Sequence, residues 1–339
     1  MKAVDGANFS LLFCAYNEAA SMPTKLGNLR ALKSRYPALE ILAFDDGSVD
    51  GTAALIAQDA TLVTLVKGDG RNGKAHGMKL LAKRARGRFL IFTDANVLLD
   101  TDALTSLDAC YADPSVGGVC GSLHYLAAEG TVTAKIGGLY WRLEERIKDL
   151  ESVSGSVMGA DGSIFSIRAE LYPDFPDTVL DDFTTSMEVV FRDKRLIKSN
   201  NVRAFEQLVS SRSDEYARKI RIAARAFHTH MTCSHKRKNL TLANKFRYFS
   251  HKTLRWFGGG FLVIGAVTGI GAITLLNPAL GIGTLTVLAA AFYIGLRFQA
   301  GTLSSIVEIV IAMIATLTGV FRAIRGQTFA TWNPAKSRI

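Results

Sequence analysis

At 339 residues the chain is long for a single domain, and its hydrophobic residues, 48% of the total, crowd unevenly into the last quarter. The four cysteines, Cys14, Cys110, Cys120 and Cys233, have no metal-ligand spacing, which argues against a metal-binding cysteine module and fits reduced thiols in a cytosolic protein. A net charge of +10 would suit nucleic acid, but much of the excess sits beside apolar runs, and that position favours a lipid surface instead.

Taken in chain order, the first half alternates strands with helices. Residues 9–15, 41–44, 62–66 and 89–93 read as strands, and 18–33, 51–59, 73–85 and 102–111 as helices. Residues 117–125 are extended, 140–154 form a long polar helix, 163–168 a further strand and 177–192 a helix that opens on acids. Such alternation predicts an α/β fold, a mostly parallel sheet covered on both faces.

Two amphipathic helices follow. Tyr216, Ile220, Ala224, Phe227 and Met231 recur at steps of three or four, with Arg218, Arg221 and Arg225 on another face. Leu242, Phe246, Phe249 and Trp256 repeat the pattern more loosely. Residues 217–256 contain eleven Lys and Arg and no Asp or Glu, as expected of a segment lying on anionic headgroups. The apolar runs 257–276, 279–296 and 303–321 are each close to the roughly 20 residues that cross a bilayer as a helix. They are rich in Gly, Ala and Thr, which let membrane helices approach closely. The apolar stretch at 8–16 is too short for a signal peptide. The expected division is a cytosolic domain at 1–210, interfacial helices at 211–256, transmembrane helices at 257–325 and a tail at 326–339. This predicts a multi-pass protein of the cell inner membrane with its first domain in the cytoplasm. Three crossings would place Arg322, Arg325, Lys336 and Arg338 outside, against the positive-inside tendency, so one run is open to being re-entrant or interfacial.

Candidate chemistry gathers where predicted strands end. Residues 41–44 run into Asp45-Asp46-Gly47-Ser48, and 89–93 into Asp94-Ala95-Asn96. Ligands of open α/β sheets bind beyond the carboxyl ends of the strands. Acids gathered there suit a cation and the ribose or base of a nucleotide, and admit a pyrophosphate only with a divalent cation between the charges. The Gly-rich stretch from Lys67 to Lys74 ends on a lysine at a helix start, where backbone N–H groups can meet phosphate. It is not a Walker A loop, since no Ser or Thr follows Lys74. Singly, each motif is also explicable as a turn or a helix cap. His228, His230, His235 and His251 read as packing or headgroup-facing residues rather than metal ligands.

Order and spacing say more than any one motif. Ala15-Tyr16-Asn17-Glu18 follows the first strand, Asp45-Asp46-Gly47-Ser48 the second, the loop with Lys74 the third and Thr93-Asp94-Ala95-Asn96 the fourth; Asp181-Asp182 comes about 85 residues later. Further along stand Tyr140-Trp141-Arg142-Leu143-Glu144, Gly159-Ala160-Asp161-Gly162, Ser250-His251-Lys252, Leu254-Arg255-Trp256 and Thr331-Trp332-Asn333-Pro334. As a set these motifs resemble the family-2 glycosyltransferases of GT-A fold, especially the membrane-bound bacterial enzymes grouped with cellulose, hyaluronan and poly-N-acetylglucosamine synthases.

The resemblance implies roles for individual residues. Tyr16, Glu18 and one or both of Asp45 and Asp46 would hold the nucleotide's base and ribose, with Lys74 near the nucleotide. Asp94 would bind Mg²⁺ or Mn²⁺ at the diphosphate, with Asn96 as a neutral ligand where many relatives carry a second Asp. Asp182 would be the catalytic base, Asp161 and Asp181 would lie on the acceptor side, and Arg221 would neutralise the diphosphate. Processive relatives carry Gln-x-x-Arg-Trp; here Arg218-Lys219-Ile220-Arg221-Ile222 keeps the arginine and lacks Gln and Trp. Processive synthesis and transfer of a single sugar both stay open. The expected partners are a nucleotide-sugar donor (UDP-linked), a lipid or glycan acceptor, membrane lipids and oligomer or export partners, with no nucleic acid. The competing class is a non-catalytic membrane-anchored nucleotide-sugar binder or scaffold, against which Asp46, Asp94, Asp182 and Arg221 stand together.

Overall fold

The computed structural model describes residues 4–126, 132–207, 211–298, 301–329 and 331, and at 132–137 the backbone alone. Trp332-Asn333-Pro334 and the expected domain end at 208–210 lie outside the described residues. The elements in order are β1 (Phe9–Ala15), α1 (Met22–Arg35), β2 (Glu40–Asp45), α2 (Thr52–Ala57), β3 (Thr64–Lys67), α3 (Lys74–Arg84) and β4 (Phe89–Asp94). Then come β5 (Leu98–Leu99), α4 (Ala103–Tyr111), β6 (Val116–Leu126), α5 (Val132–Ser154), β7 (Ile164–Arg168), α6 (Asp181–Phe191) and β8 (Arg195–Gln207).

The strands form one sheet in the order β3-β2-β1-β4-β7-β6-β8-β5. The first four lie parallel; β7 runs antiparallel to β4 and β6, β8 is parallel to β6, and β5 is antiparallel to β8. The expected α/β architecture, mostly parallel, is therefore present, with β7 as its reversal. Alternation along the strands fills two cores. Phe9, Leu11 and Phe13 pack with Met22, Leu26, Leu29, Leu104 and Leu107 on one face. Leu12, Cys14 and Phe44 pack with Met78, Leu81, Met187 and Val190 on the other. Burial on both faces is what makes these strands read as continuous apolar runs.

Several boundaries differ from expectation. The first helix starts at Met22 rather than at residue 18, because Asn17 turns the chain at φ +52° and Pro23 favours a first-turn position. Asp177 lies before α6, where it pairs with His76 and Lys79. The long strand β8 was not expected at all; its centre, Ser199-Asn200-Asn201, interrupts the apolar alternation.

The remainder is helical: α7 (Arg212–Thr232), α8 (Ser234–Arg237), α9 (Leu242–Tyr248), a π-turn at Phe249–Thr253, α10 (Leu254–Leu276), α11 (Pro278–Phe298) and α12 (Gly301–Ile324). Among the described residues, three helices are long and apolar enough to cross a membrane: Leu242–Leu276, Pro278–Phe298 and Gly301–Ile324. Much of the basic charge of 217–256 is engaged within the protein. Arg218 and Lys219 pair with Glu215, Lys236 with Glu188, and Lys252 and Arg255 with Glu144. Less of it faces outward than the sequence alone implies.

Candidate active site

Strand register assembles the site. Ala15 stands opposite Asp45, Cys14 opposite Asp94 and Asp45 opposite Lys67, so the parallel strands end level with one another. The antiparallel pairing of Thr93 with Ile164 brings the segment before β7, which holds Asp161 and Gly162, to the same edge. Tyr16, Asp45, Asp46, Asp94 and Asp161 thus meet in the crevice where such sheets bind ligands.

At the centre lies a charge cluster. Lys74 Nζ is 2.6 Å from Asp94 Oδ1 and 3.8 Å from Asp181 Oδ2. A methyl group on Gly162 would sit 2.8 Å from Lys74 Nζ, 3.1 Å from Asp182 Oδ2 and 3.7 Å from Asp94 Oδ2. Three charged groups therefore surround a gap that only glycine leaves open. Burial works against the Lys74 ammonium, but Asp94, Asp181 and Asp182 outweigh it and hold the lysine charged. Burial, reinforced by Asp181, pushes the Asp182 carboxyl up to about 7, with Lys74 pulling the other way. A carboxyl that titrates near neutrality is suited to proton transfer.

The start of α6 is fixed from α7. Thr229 Oγ1 accepts from Leu180 N at 2.8 Å, and Arg225 Nη2 donates to the Val179 carbonyl at 2.5 Å while standing 3.9 Å from Asp181 Oδ1. Arg221 is half-buried one turn earlier on the same helix. Asp161 accepts from Lys148 Nζ at 2.6 Å, which ties it to α5.

On the other side of the crevice the acids divide their work. Asp46 is fully buried, and its Oδ1 accepts from Asn72 N at 2.7 Å and Gly73 N at 2.9 Å. The Gly-rich loop thus spends two backbone N–H groups, those just before the helix start, on a carboxylate. Asp45 Oδ2 accepts from Ser48 N, whereas its buried Oδ1 has no hydrogen-bond donor among the described residues. The Arg71 guanidinium lies over the Tyr16 ring at 3.3 Å from its centroid. Glu18 sits in the turn before α1, its carboxylate accepting from Ser21 Oγ at 2.7 Å.

Among the described residues no group of three or more His, Cys, Asp or Glu is gathered for a metal ion. Asn96 turns its amide to Glu206 Oε1 at 3.0 Å. Asp94 still fits a hard cation, since Mg²⁺ commonly takes one or two carboxylates plus substrate phosphates. The Lys74 ammonium beside it shows that a positive charge is accommodated at that point.

Sequence reasoning missed Lys25. It is fully buried, with Nζ donating to the carbonyls of Val97 at 2.5 Å and Asp94 at 3.1 Å, so it braces the loop that carries Asp94. Burial pushes its ammonium down to about 7. The signal was available: Lys25 falls on the same helical stripe as Met22, Leu26 and Leu29. Arg225 was placed only on a basic face.

A mostly parallel curled sheet with its acidic motifs at one edge is the GT-A fold, and similar solved structures bear this out. A mannosyltransferase, PcManGT of Pyrobaculum calidifontis, solved with GDP-Man and Mn²⁺, superposes with TM-score 0.74 over 94% of this chain and 88% of that chain at 22% identity. A fragment of S. aureus TarS solved with UDP-GlcNAc covers 94% of this chain and 92% of that chain with TM-score 0.50 and 15% identity. Residues 10–174 match the family model for Glycosyl transferase family 2. The chain thus carries a family-2 glycosyltransferase domain. It is 29% identical over 204 residues to the poly-beta-1,6-N-acetyl-D-glucosamine synthase of Staphylococcus aureus (strain COL), a match that takes in 57% of this chain and 48% of that protein. A Staphylococcus epidermidis synthase of the same name is 28% identical over 166 residues, 47% of this chain and 38% of that protein. The chain spans about half the length, or less, of these curated relatives.

Proposed function

We propose that the protein is a membrane-bound inverting transferase that moves a sugar from a UDP-linked donor to a lipid or glycan acceptor. The observation that carries this reading is the convergence of Lys74, Asp94 and Asp182 on the gap at Gly162. Asp182 Oδ2 faces that gap and is the group to take the proton of an acceptor hydroxyl. Lys74 supplies positive charge where a diphosphate leaves, and Asp94 would hold Mg²⁺ or Mn²⁺ there. When bound, the cation neutralises the leaving group's charge. Asp45 Oδ1, a buried acceptor lacking a donor, suits a ribose hydroxyl or a base N–H, and Tyr16 offers a ring face beside it. Attack opposite the leaving group in one displacement inverts the anomeric carbon. In this reading residues 1–210 form the cytoplasmic catalytic domain, and the helices beyond 211 hold it to the inner membrane.

The test is a panel of nucleotide sugars, UDP- and GDP-linked, scored for hydrolysis and transfer by the full chain in detergent with Mn²⁺ or Mg²⁺. Turnover of a UDP-sugar that stops on chelation is the expected result. Tight nucleotide-sugar binding without turnover on any acceptor would favour the scaffold reading instead.

A further inference from the structure

The three apolar helices are not equivalent. α10 and α11 form a hairpin closed at its tip, where Gly281 meets Thr274. Gly259 on α10 and Gly295 on α11 are equally far from that tip and so stand at the same height near the foot. α12 touches both. Gly295 faces Leu303 and Val307, whereas Gly259 faces Met313 and Leu317, ten residues further along. Ten residues of helix span about 15 Å, so α12 meets the two helices at well-separated points along its length. A helix climbing beside the hairpin would meet one height with one turn of residues. α12 instead passes across the foot. Burial agrees: α10 is buried only at Trp256 and Gly259 and α11 only at Gly281 and Gly295, whereas α12 is buried from Ser304 to Ala323.

What buries α12 is α7, which runs parallel to it. Glu308 pairs with Arg212, and Gly319 packs on the Ile220 carbonyl and Ala223. α7 carries Arg212, Asp214, Glu215, Arg218, Lys219, Arg221 and Arg225. If α12 crossed the bilayer, this charged helix would be drawn in with it, at about 2.5–3.5 kcal/mol for each unshielded charge at the centre. The opposite face of α12 exposes Ile306, Ile309, Ile314, Phe321 and Ile324, an apolar stripe at helical spacing.

We propose that α10 and α11 are the two crossings among the described residues, and that α12 lies in the membrane plane at their foot, its outer stripe on lipid and its inner face on α7. The chain beyond Ile324 then returns to the side that holds the sheet. Arg322 and Arg325 fall on that side, in keeping with the positive-inside tendency.

This inference rests on the membrane-bound reading, and the test separates the two. Asn277→Cys at the hairpin tip and Gln327→Cys after α12 are introduced singly into the full chain, with Cys110 and Cys233 changed to Ser. Intact cells are treated with a membrane-impermeant maleimide. Labelling of position 277 alone is expected, with 327 reacting only after permeabilisation. Labelling of 327 from outside overturns the proposal. Protection of both overturns the crossing of the hairpin and the membrane-bound reading with it. Nitroxides on Ile306→Cys, Ile314→Cys and Phe321→Cys should report one shallow depth in liposomes, and a steady gradient through the bilayer would overturn the in-plane helix even if 327 is protected.

Discussion

Gly162 shows how much of the site depends on one absent methyl group. Gly162→Ala would bring a carbon within 3.1 Å of Asp182 Oδ2 and 2.8 Å of Lys74 Nζ, and both side-chain ends can give way. The variant should therefore fold with an unchanged melting temperature, yet lose roughly 10²-fold in turnover, since displacements of about 1 Å are that costly. A large drop in melting temperature would show that the gap is structural. Asp182→Asn makes a second case. Turnover should fall by about 10²–10⁴ with donor binding retained, because an amide cannot accept the proton. The stability effect has a definite sign. The carboxyl titrates at about 7 in the folded chain and at about 3.9 when unfolded. Between those values the unfolded chain binds fewer protons, so stability falls as pH rises through the window. Asparagine escapes that loss, and the variant should melt higher than wild type at pH 8 but not at pH 4. Equal shifts at both pH values would remove the idea that Asp182 is held protonated. At this scale the sequence was most informative where a residue stands at the end of its own strand, as Asp94 and Asp45 do. It was silent on Lys25 and Arg225, whose partners lie on distant elements, and on the division of labour between Asp45 and Asp46, which depends on where the loop at Asn72 and Gly73 folds back.

Among elements, α7 links the catalytic sheet to the apolar helices, because it fixes the start of α6 on one face and receives α12 on the other. Gly319 is the tightest point of that contact: a Cβ there would lie 2.5 Å from the Ile220 carbonyl, and backbone inside a helix yields little. Gly319→Val should therefore destabilise the full chain by about 1–3 kcal/mol, as overpacking does. It should also lower turnover, since α7 positions Asp181 and Asp182 through Val179 and Leu180. Gly265→Val on α10, where no atom lies within 4 Å of the added carbon, is the control and should be silent. If both substitutions melt alike, α7 and α12 are not coupled as described. Element identity was legible where apolar spacing was regular, as in α7 and the strands β1, β2 and β4. It failed for β8, whose residues alternate between buried Val202 and Ala204 and exposed Arg203 only after an irregular centre, and at the start of α1, where a left-handed Asn17 ends the turn.

For the molecule as a whole, the joint between sheet and hairpin is made of buried charge. Glu144 on α5 accepts from Arg255 Nη1 at 2.5 Å and from Lys252 Nζ at 3.4 Å, and His251 bridges it to Glu151. The motifs at 140–144 and 250–256 stood in the sequence as separate stretches, and their meaning is this contact, which only the fold supplies. Burial alone would raise the Glu144 pKa, but Lys252, Arg255 and His251 outweigh it and hold the carboxyl well below its usual range. The stability this provides is present above the ordinary glutamate pKa of about 4.3 and is lost as pH falls through the folded value. Glu144→Gln leaves the cations without their shared anion, and breaking such a buried pair from one side costs about 3–5 kcal/mol. Arg255→Met alone should also destabilise. Once Arg255 is gone, however, one of the charges that Glu144 balances is gone too, so the double variant should lose less than the two single losses together. Melting temperatures of the full chain in detergent at pH 7 decide it. Strictly additive losses would mean that Glu144 and Arg255 act independently, and that the hairpin is held to the sheet by packing of Trp256 and its neighbours rather than by this ion cluster.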